Sequence, residues 1–149
     1  MAKRAPVAVP HHPDSAVPLR ALTILLVDDE ELVRRATGEM LDEMGHEVIA
    51  ACSGAEALRC LEAYPEISLV ITDYLMPGMT GGALAREVFA RFPETPLLII
   101  SGYANPAELP GDIPRLTKPF TAEKLSTAVG ELLTGRTNVV SLHRRAGLD

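Results

Sequence analysis

The chain has 149 residues, 47% of them hydrophobic, enough for one domain to bury a core without disulfides or a structural metal. Its formal net charge of −6 argues against binding nucleic acid or anionic lipid through overall charge, because phosphate-rich partners reward a basic surface. Cys52 and Cys60 form no C-x-x-C pair and have no His at metal-ligand spacing, so they read as reduced thiols.

Residues 1–20 begin with the basic Met1-Ala-Lys-Arg4, but Pro6, Pro10, Pro13 and Pro18 interrupt any apolar run of the kind a signal peptide needs. Rich in Pro, Ala and Val without periodicity, this stretch is expected to be a disordered N-terminal segment. No stretch of the chain reaches the roughly 18 consecutive apolar residues of a membrane span, so a cytoplasmic location and no membrane partner are expected.

The domain is expected to cover residues 21–134. Its first element is the apolar run Leu22-Thr-Ile-Leu-Leu-Val27. Glu30 to Met44 follows as a helix, with Val33, Ala36, Met40 and Met44 at helical spacing and Gly45 as the stop. Glu47 to Ala51 is a weaker strand, and Ser53-Gly-Ala-Glu56 fits a capping box ahead of Ala57, Leu58 and Leu61. Ile67 to Thr72 is a third strand. Gly82 to Phe92 is a helix with Leu84, Ala85, Val88, Phe89 and Phe92 on one stripe, ended by Pro93. Pro96 to Ile100 and Ile113 to Thr117 supply strands four and five, and Thr121 can cap a last helix bearing Leu125, Ala128, Val129 and Leu132. Residues 135–149 read as a C-terminal tail, poorly ordered as termini commonly are.

The first, third and fourth runs are continuously apolar, the mark of strands covered on both faces of a parallel sheet. Strands alternating with amphipathic helices require right-handed crossovers, hence an α/β, doubly wound architecture. Ligands then bind at the carboxyl ends of the strands. Strand one ends in Asp28-Asp29-Glu30, strand three in Asp73, strand four in Ser101, and strand five runs into Lys118-Pro119. Each has a bland reading alone, as a turn former, helix cap or solvated charge. Their coincidence on one edge points to chemistry. Crowded carboxylates need a compensating cation, and hard oxygen ligands without His or Cys select Mg²⁺ or Ca²⁺; so small a set suits Mg²⁺, completed by a phosphate. Lys118 and Ser101 could meet phosphoryl oxygens, which describes a phosphoryl-transfer site. The nucleotide-binding signatures G-x-x-x-x-G-K-[ST] and G-x-G-x-x-G are absent, so the phosphoryl group would come from another protein or a small donor, with an Asp as nucleophile.

Four motifs in this order, Leu25-Leu-Val-Asp-Asp-Glu30, Thr72-Asp-Tyr-Leu-Met-Pro-Gly-Met-Thr-Gly81, Ile99-Ile-Ser-Gly102 and Lys118-Pro-Phe120, resemble the receiver domain of two-component response regulators. The resemblance covers about residues 22–134. It implies a flavodoxin-like, five-stranded sheet of order 2-1-3-4-5, the order known for the chemotaxis receiver and flavodoxin. It also implies that Asp73 accepts a phosphoryl group from a histidine kinase or histidine phosphotransfer protein and passes the signal to a downstream protein target. Asp29 would then be a direct Mg²⁺ ligand, Asp28 would act largely through water, and the backbone carbonyl of Leu75 would be a further ligand. Ser101 matches the family's hydroxyl and Lys118 its ammonium, and the Lys118–Pro119 bond would be cis. No turnover enzyme is implied, only slow self-dephosphorylation. The short tail after Gly135 leaves no room for a DNA-binding module, so a single-domain regulator or a hybrid-histidine-kinase receiver is expected.

The sequence departs from the family at Arg115, where receivers usually carry an aromatic switch three residues before the lysine. A guanidinium enters an apolar pocket unpaired only at high cost, so Tyr103, two residues after Ser101, is the aromatic expected to order with residues 102–114 on phosphorylation. Pro106, Pro110, Gly111 and Pro114 leave the intervening fourth helix short or irregular. Two rivals are an unphosphorylated interaction module and a Mg²⁺-dependent phosphohydrolase. The intact acidic, hydroxyl and lysine set speaks against the first. The absence of Asp-x-Asp after strand one speaks against the second.

Overall fold

The computed structural model describes residues 21–102 and 113–134. The expectations for residues 1–20 and 135–149, for the short fourth helix and for Tyr103 fall outside those residues.

The described chain alternates strand and helix: β1 (Thr23–Val27), α1 (Glu31–Glu43), β2 (Glu47–Ala51), α2 (Gly54–Ala63), β3 (Leu69–Asp73), α3 (Gly81–Arg91), β4 (Leu97–Ser101), β5 (Arg115–Thr117) and α4 (Ala122–Thr134). The strands form one parallel sheet of order β2-β1-β3-β4-β5, as the resemblance implies. Strand and helix limits differ from the sequence expectations by at most two residues.

Because side chains alternate across a strand, each continuous apolar run feeds two cores. On one face Leu25, Val27, Val70 and Ile99 pack with Ala57, Leu61, Leu84 and Val88 of α2 and α3. On the other, Ile24, Leu26, Ile71, Leu98 and Ile100 pack with Leu41 of α1 and Leu125, Val129 and Leu132 of α4. The stripe expected on α1 is rotated. Ala36 is exposed, and the wholly buried positions are Thr37 and Leu41. Hydrophobic spacing gives a helix a face to within about one residue; the sheet it lands on decides the centre.

The local stops and starts act as their chemistry dictates. Gly45, at φ 97, adopts the left-handed conformation that ends α1. Ser53 Oγ accepts the Glu56 N–H at 3.1 Å, but the Glu56 carboxylate reaches back one residue beyond the usual box, accepting from Cys52 N–H at 2.7 Å. Thr80 caps α3 through Ala83 N–H, and Thr121 caps α4 through Lys124 N–H, each at 3.1 Å. No helix among the described residues is long and apolar enough to cross a membrane.

Candidate functional site

The sheet register aligns the polar strand ends. Val27 pairs with Thr72, Asp73 with Ile100, and Ser101 with Thr117, so residues 28, 73, 101 and 118 emerge side by side. Backbone bonds carry the ladder into the loops: Asp28 N–H donates to Ala51 O at 3.1 Å, Tyr74 N–H to Ile100 O at 2.9 Å, and Lys118 N–H to Ser101 O at 2.8 Å. Every chain segment that brings a functional group is thus clamped to its neighbour at the point of delivery.

Asp28, Asp29 and Asp73 each offer a carboxylate oxygen within 4.8 Å of the others. Asp28 and Asp73 are buried and Asp29 is exposed. Burial pushes the Asp28 carboxyl above its ordinary range, and the Asp73 and Asp29 charges push it the same way, against the Glu30 N–H hydrogen bond and Lys118. Lys118 Nζ lies 3.1 Å from Asp73 Oδ1, the cationic wall of the cluster. The Lys118–Pro119 peptide is cis. Ser101, buried at the end of β4, completes the edge.

A cleft of about 290 Å³ opens here, lined by Asp29, Glu30, Asp73, Leu75, Gly102 and Lys118. An oxygen-only donor set, with one carboxyl already destabilised as an anion, fits a small hard cation and fits zinc or copper poorly. The structure therefore brings together Asp28, Asp29, Asp73 and Lys118, and sets Leu75 on the same rim. Arg115 stands apart on β5, half-buried, its Nε donating to Ile113 O at 3.2 Å.

Two further residues shape the site, and the sequence signals each of them only faintly. Arg34 reaches back from α1 and donates from Nη1 to the Asp28 carbonyl oxygen at 2.7 Å. Gly81 N–H donates to Tyr74 O at 2.7 Å, drawing the start of α3 against the end of β3. A basic residue six positions after an acidic strand end was the one available hint of the first. The second could be read only as part of a motif.

The sequence model of the response regulator receiver domain matches residues 24–130. The chain is 39% identical over 117 residues to the sensor kinase CckA of Brucella abortus, a match covering 74% of this chain and 12% of that protein. It is 34% identical over 115 residues to the response regulator receiver protein CpdR of the same organism, covering 74% of this chain and 95% of that one. Among solved structures it is similar to the response regulator protein TrrA of Thermotoga maritima in complex with Mg(2+)-BeF, with a TM-score of 0.69 and 30% identity, over 74% of this chain and 98% of that one.

Proposed function

The chain belongs to the family of response regulator receiver domains, and from that membership we propose that residues 21–134 accept a phosphoryl group on Asp73 with Mg²⁺ and signal by the change of shape that follows. Receiver domains are signalling modules of two-component systems rather than conventional enzymes. The observation that carries the reading is the Asp73 carboxylate, at the end of a central strand, paired with Lys118 at 3.1 Å and within 4.8 Å of two further carboxylates.

An Asp73 carboxylate oxygen attacks the phosphorus of a phosphohistidine; the O–P bond forms as the P–N bond breaks, and the histidine nitrogen leaves with the electron pair. Asp29, Asp73 and the Leu75 carbonyl would hold Mg²⁺, with Asp28 largely through water. The bound ion supplies positive charge that offsets the phosphoryl oxygens. Lys118 gives up its contact with the free carboxylate to meet one phosphoryl oxygen, and Ser101 donates to another. TrrA, whose structure is with Mg(2+)-BeF, supports the metal and phosphoryl assignments by likeness.

The donor is a histidine kinase or a histidine phosphotransfer protein, and the likeness to CckA, whose solved receiver domain is that of a hybrid histidine kinase, supports a place alongside hybrid kinases. A downstream protein target reads the modified state. Ser101 would start the relay. With Arg115 in place of an aromatic and its Nε held by the Ile113 carbonyl, the relay would pass through residues 102–114 and Tyr103.

Incubation with acetyl phosphate and Mg²⁺ followed by intact-mass measurement tests the reading. One phosphate on the wild type and none on Asp73→Ala is expected. Equal labelling of the variant refutes it.

A further inference from the structure

Arg34, the fourth residue of α1, projects toward the acidic turn, yet its side-chain hydrogen bond goes to the backbone. Nη1 donates to the Asp28 carbonyl at 2.7 Å, while Arg34 N–H is bonded to Glu30 O at 2.9 Å within the helix. On the other side of the same turn, the Asp28 carboxylate accepts the Glu30 N–H at 2.9 Å. The short segment Asp28-Asp29-Glu30 is thus held at four points: Asp28 N–H on the Ala51 carbonyl at 3.1 Å, two bonds at the entrance to α1, and the guanidinium. Asp29, between them, is exposed and makes no side-chain hydrogen bond that would orient it among the described residues.

Lys118 is the cation that acts on Asp28, and Arg34 instead acts on Glu56 and Cys52 at the β2–α2 turn. Arg34 therefore sits between two loops at the carboxyl edge and fixes one of them by a directed bond.

We propose that Arg34 is a positioning residue for divalent-metal binding: its bond to the Asp28 carbonyl sets the turn that presents Asp29 to the ion. The proposal rests on the metal assignment made above for Asp29. Partners that orient metal ligands commonly control affinity by about ten- to a hundredfold, and here the orientation acts through the backbone.

The physics provides opposite signs for the two explanations. A guanidinium beside a divalent cation repels it, so if Arg34 contributed only charge, its removal would tighten Mg²⁺ binding. If Arg34 positions Asp29, its removal weakens binding.

The test is a Mg²⁺ titration of the full chain followed by amide NMR shifts, which needs no phosphoryl donor. Arg34→Met keeps the apolar stem, loses the donor, and is expected to weaken Mg²⁺ binding about tenfold. Arg34→Lys restores a donor of similar reach and is expected to recover most of that loss. Asp29→Ala is run alongside. If Asp29→Ala binds Mg²⁺ as the wild type does, the metal assignment itself fails. If Asp29→Ala is impaired while Arg34→Met binds equally well or more tightly, this inference alone is overturned. Should Arg34→Met fold poorly, Arg34→Lys against Arg34→Gln, whose shorter side chain cannot reach the carbonyl, carries the same comparison.

Discussion

Replacing Gly81 by alanine is expected to disturb the fold and the site together. A Cβ at Gly81 would press on the Asp73 carbonyl oxygen and stand 2.9 Å from Tyr74 Cα and 3.1 Å from the Asp73 carbonyl carbon. All three are backbone atoms of the strand end, so no side chain can swing away. Overpacking of this kind costs about 1–3 kcal/mol, and a backbone obstacle places Gly81→Ala near about 3 kcal/mol, less about 0.5 kcal/mol gained from alanine's helix propensity. The net loss of about 2.5 kcal/mol corresponds to a melting temperature lower by roughly 10 °C in a domain of this size. Two other glycines are internal controls. At Gly54 a Cβ would meet the Met79 side chain, with Sδ at 2.6 Å and its Cβ and Cγ at 3.0 Å; the thioether can swing away but the anchored Cβ cannot, so Gly54→Ala should cost about 1.5 kcal/mol, less than Gly81→Ala. Gly130 in α4 has nothing within 4 Å, so Gly130→Ala should stabilise by about 0.5–1 kcal/mol. Urea denaturation of the metal-free proteins reads the order directly. Because the obstructed atoms belong to Asp73 and Tyr74, Gly81→Ala should also slow acetyl phosphate labelling by at least about tenfold, as small misplacements of reacting groups do. A Gly81→Ala protein within about 0.5 kcal/mol of the wild type, labelled at the normal rate, would show that the close approach of α3 to β3 has been misjudged.

Chelation with EDTA should abolish labelling by acetyl phosphate, and undiminished labelling would mean that the three carboxylates do not act through a metal. Asp28→Asn removes a carboxyl that burial raises above its ordinary range; the metal-free protein should therefore melt higher near neutral pH while its Mg²⁺ affinity falls, and a lower melting point in the absence of metal would contradict the burial argument. Lys118→Ala leaves Asp73 without the ammonium at 3.1 Å, and should slow labelling by about a hundredfold while Mg²⁺ still binds, checked by the same NMR titration. His46 is buried, its Nδ1 accepts Leu22 N–H at 3.2 Å, and burial lowers its pKa from the ordinary 6.5. The unfolded chain then takes up the proton first, so the stability His46 contributes is present above about pH 6.5 and is lost as pH falls through 6.5 toward its folded value, with a slope of at most about 1.4 kcal/mol per pH unit. His46→Asn should flatten urea midpoints between pH 7.5 and pH 5.5, and parallel profiles for variant and wild type would exclude the histidine as their source.

The sequence alone determined the elements and the edge on which the chemistry gathers. Short continuous apolar runs such as Leu97 to Ile100, bounded by Pro96 and Ser101-Gly102, fit strands covered on both faces, and Ser53, Thr121 and Gly45 announce helix ends because caps are local hydrogen bonds and local backbone conformations. The acidic, hydroxyl and lysine positions were legible because a parallel sheet sends every strand's carboxyl end to the same side. Their assignment to particular roles came from family resemblance rather than from spacing. Only the tertiary structure decided what depends on register between residues distant in the chain. Val27 beside Thr72 sets Asp28 against Asp73, Leu41 rather than Ala36 faces the sheet, and α3 approaches β3 closely enough that Gly81 has no room for a Cβ. The same holds for His46, a polar residue beside Gly45 that the fold buries against Leu22 at the entrance to β1, and for Arg34, whose donor finds a carbonyl six residues back. Propensity and periodicity act over one turn of helix or one strand, whereas these contacts are fixed by how separate elements land on one sheet, and that is set by the packing of both cores at once.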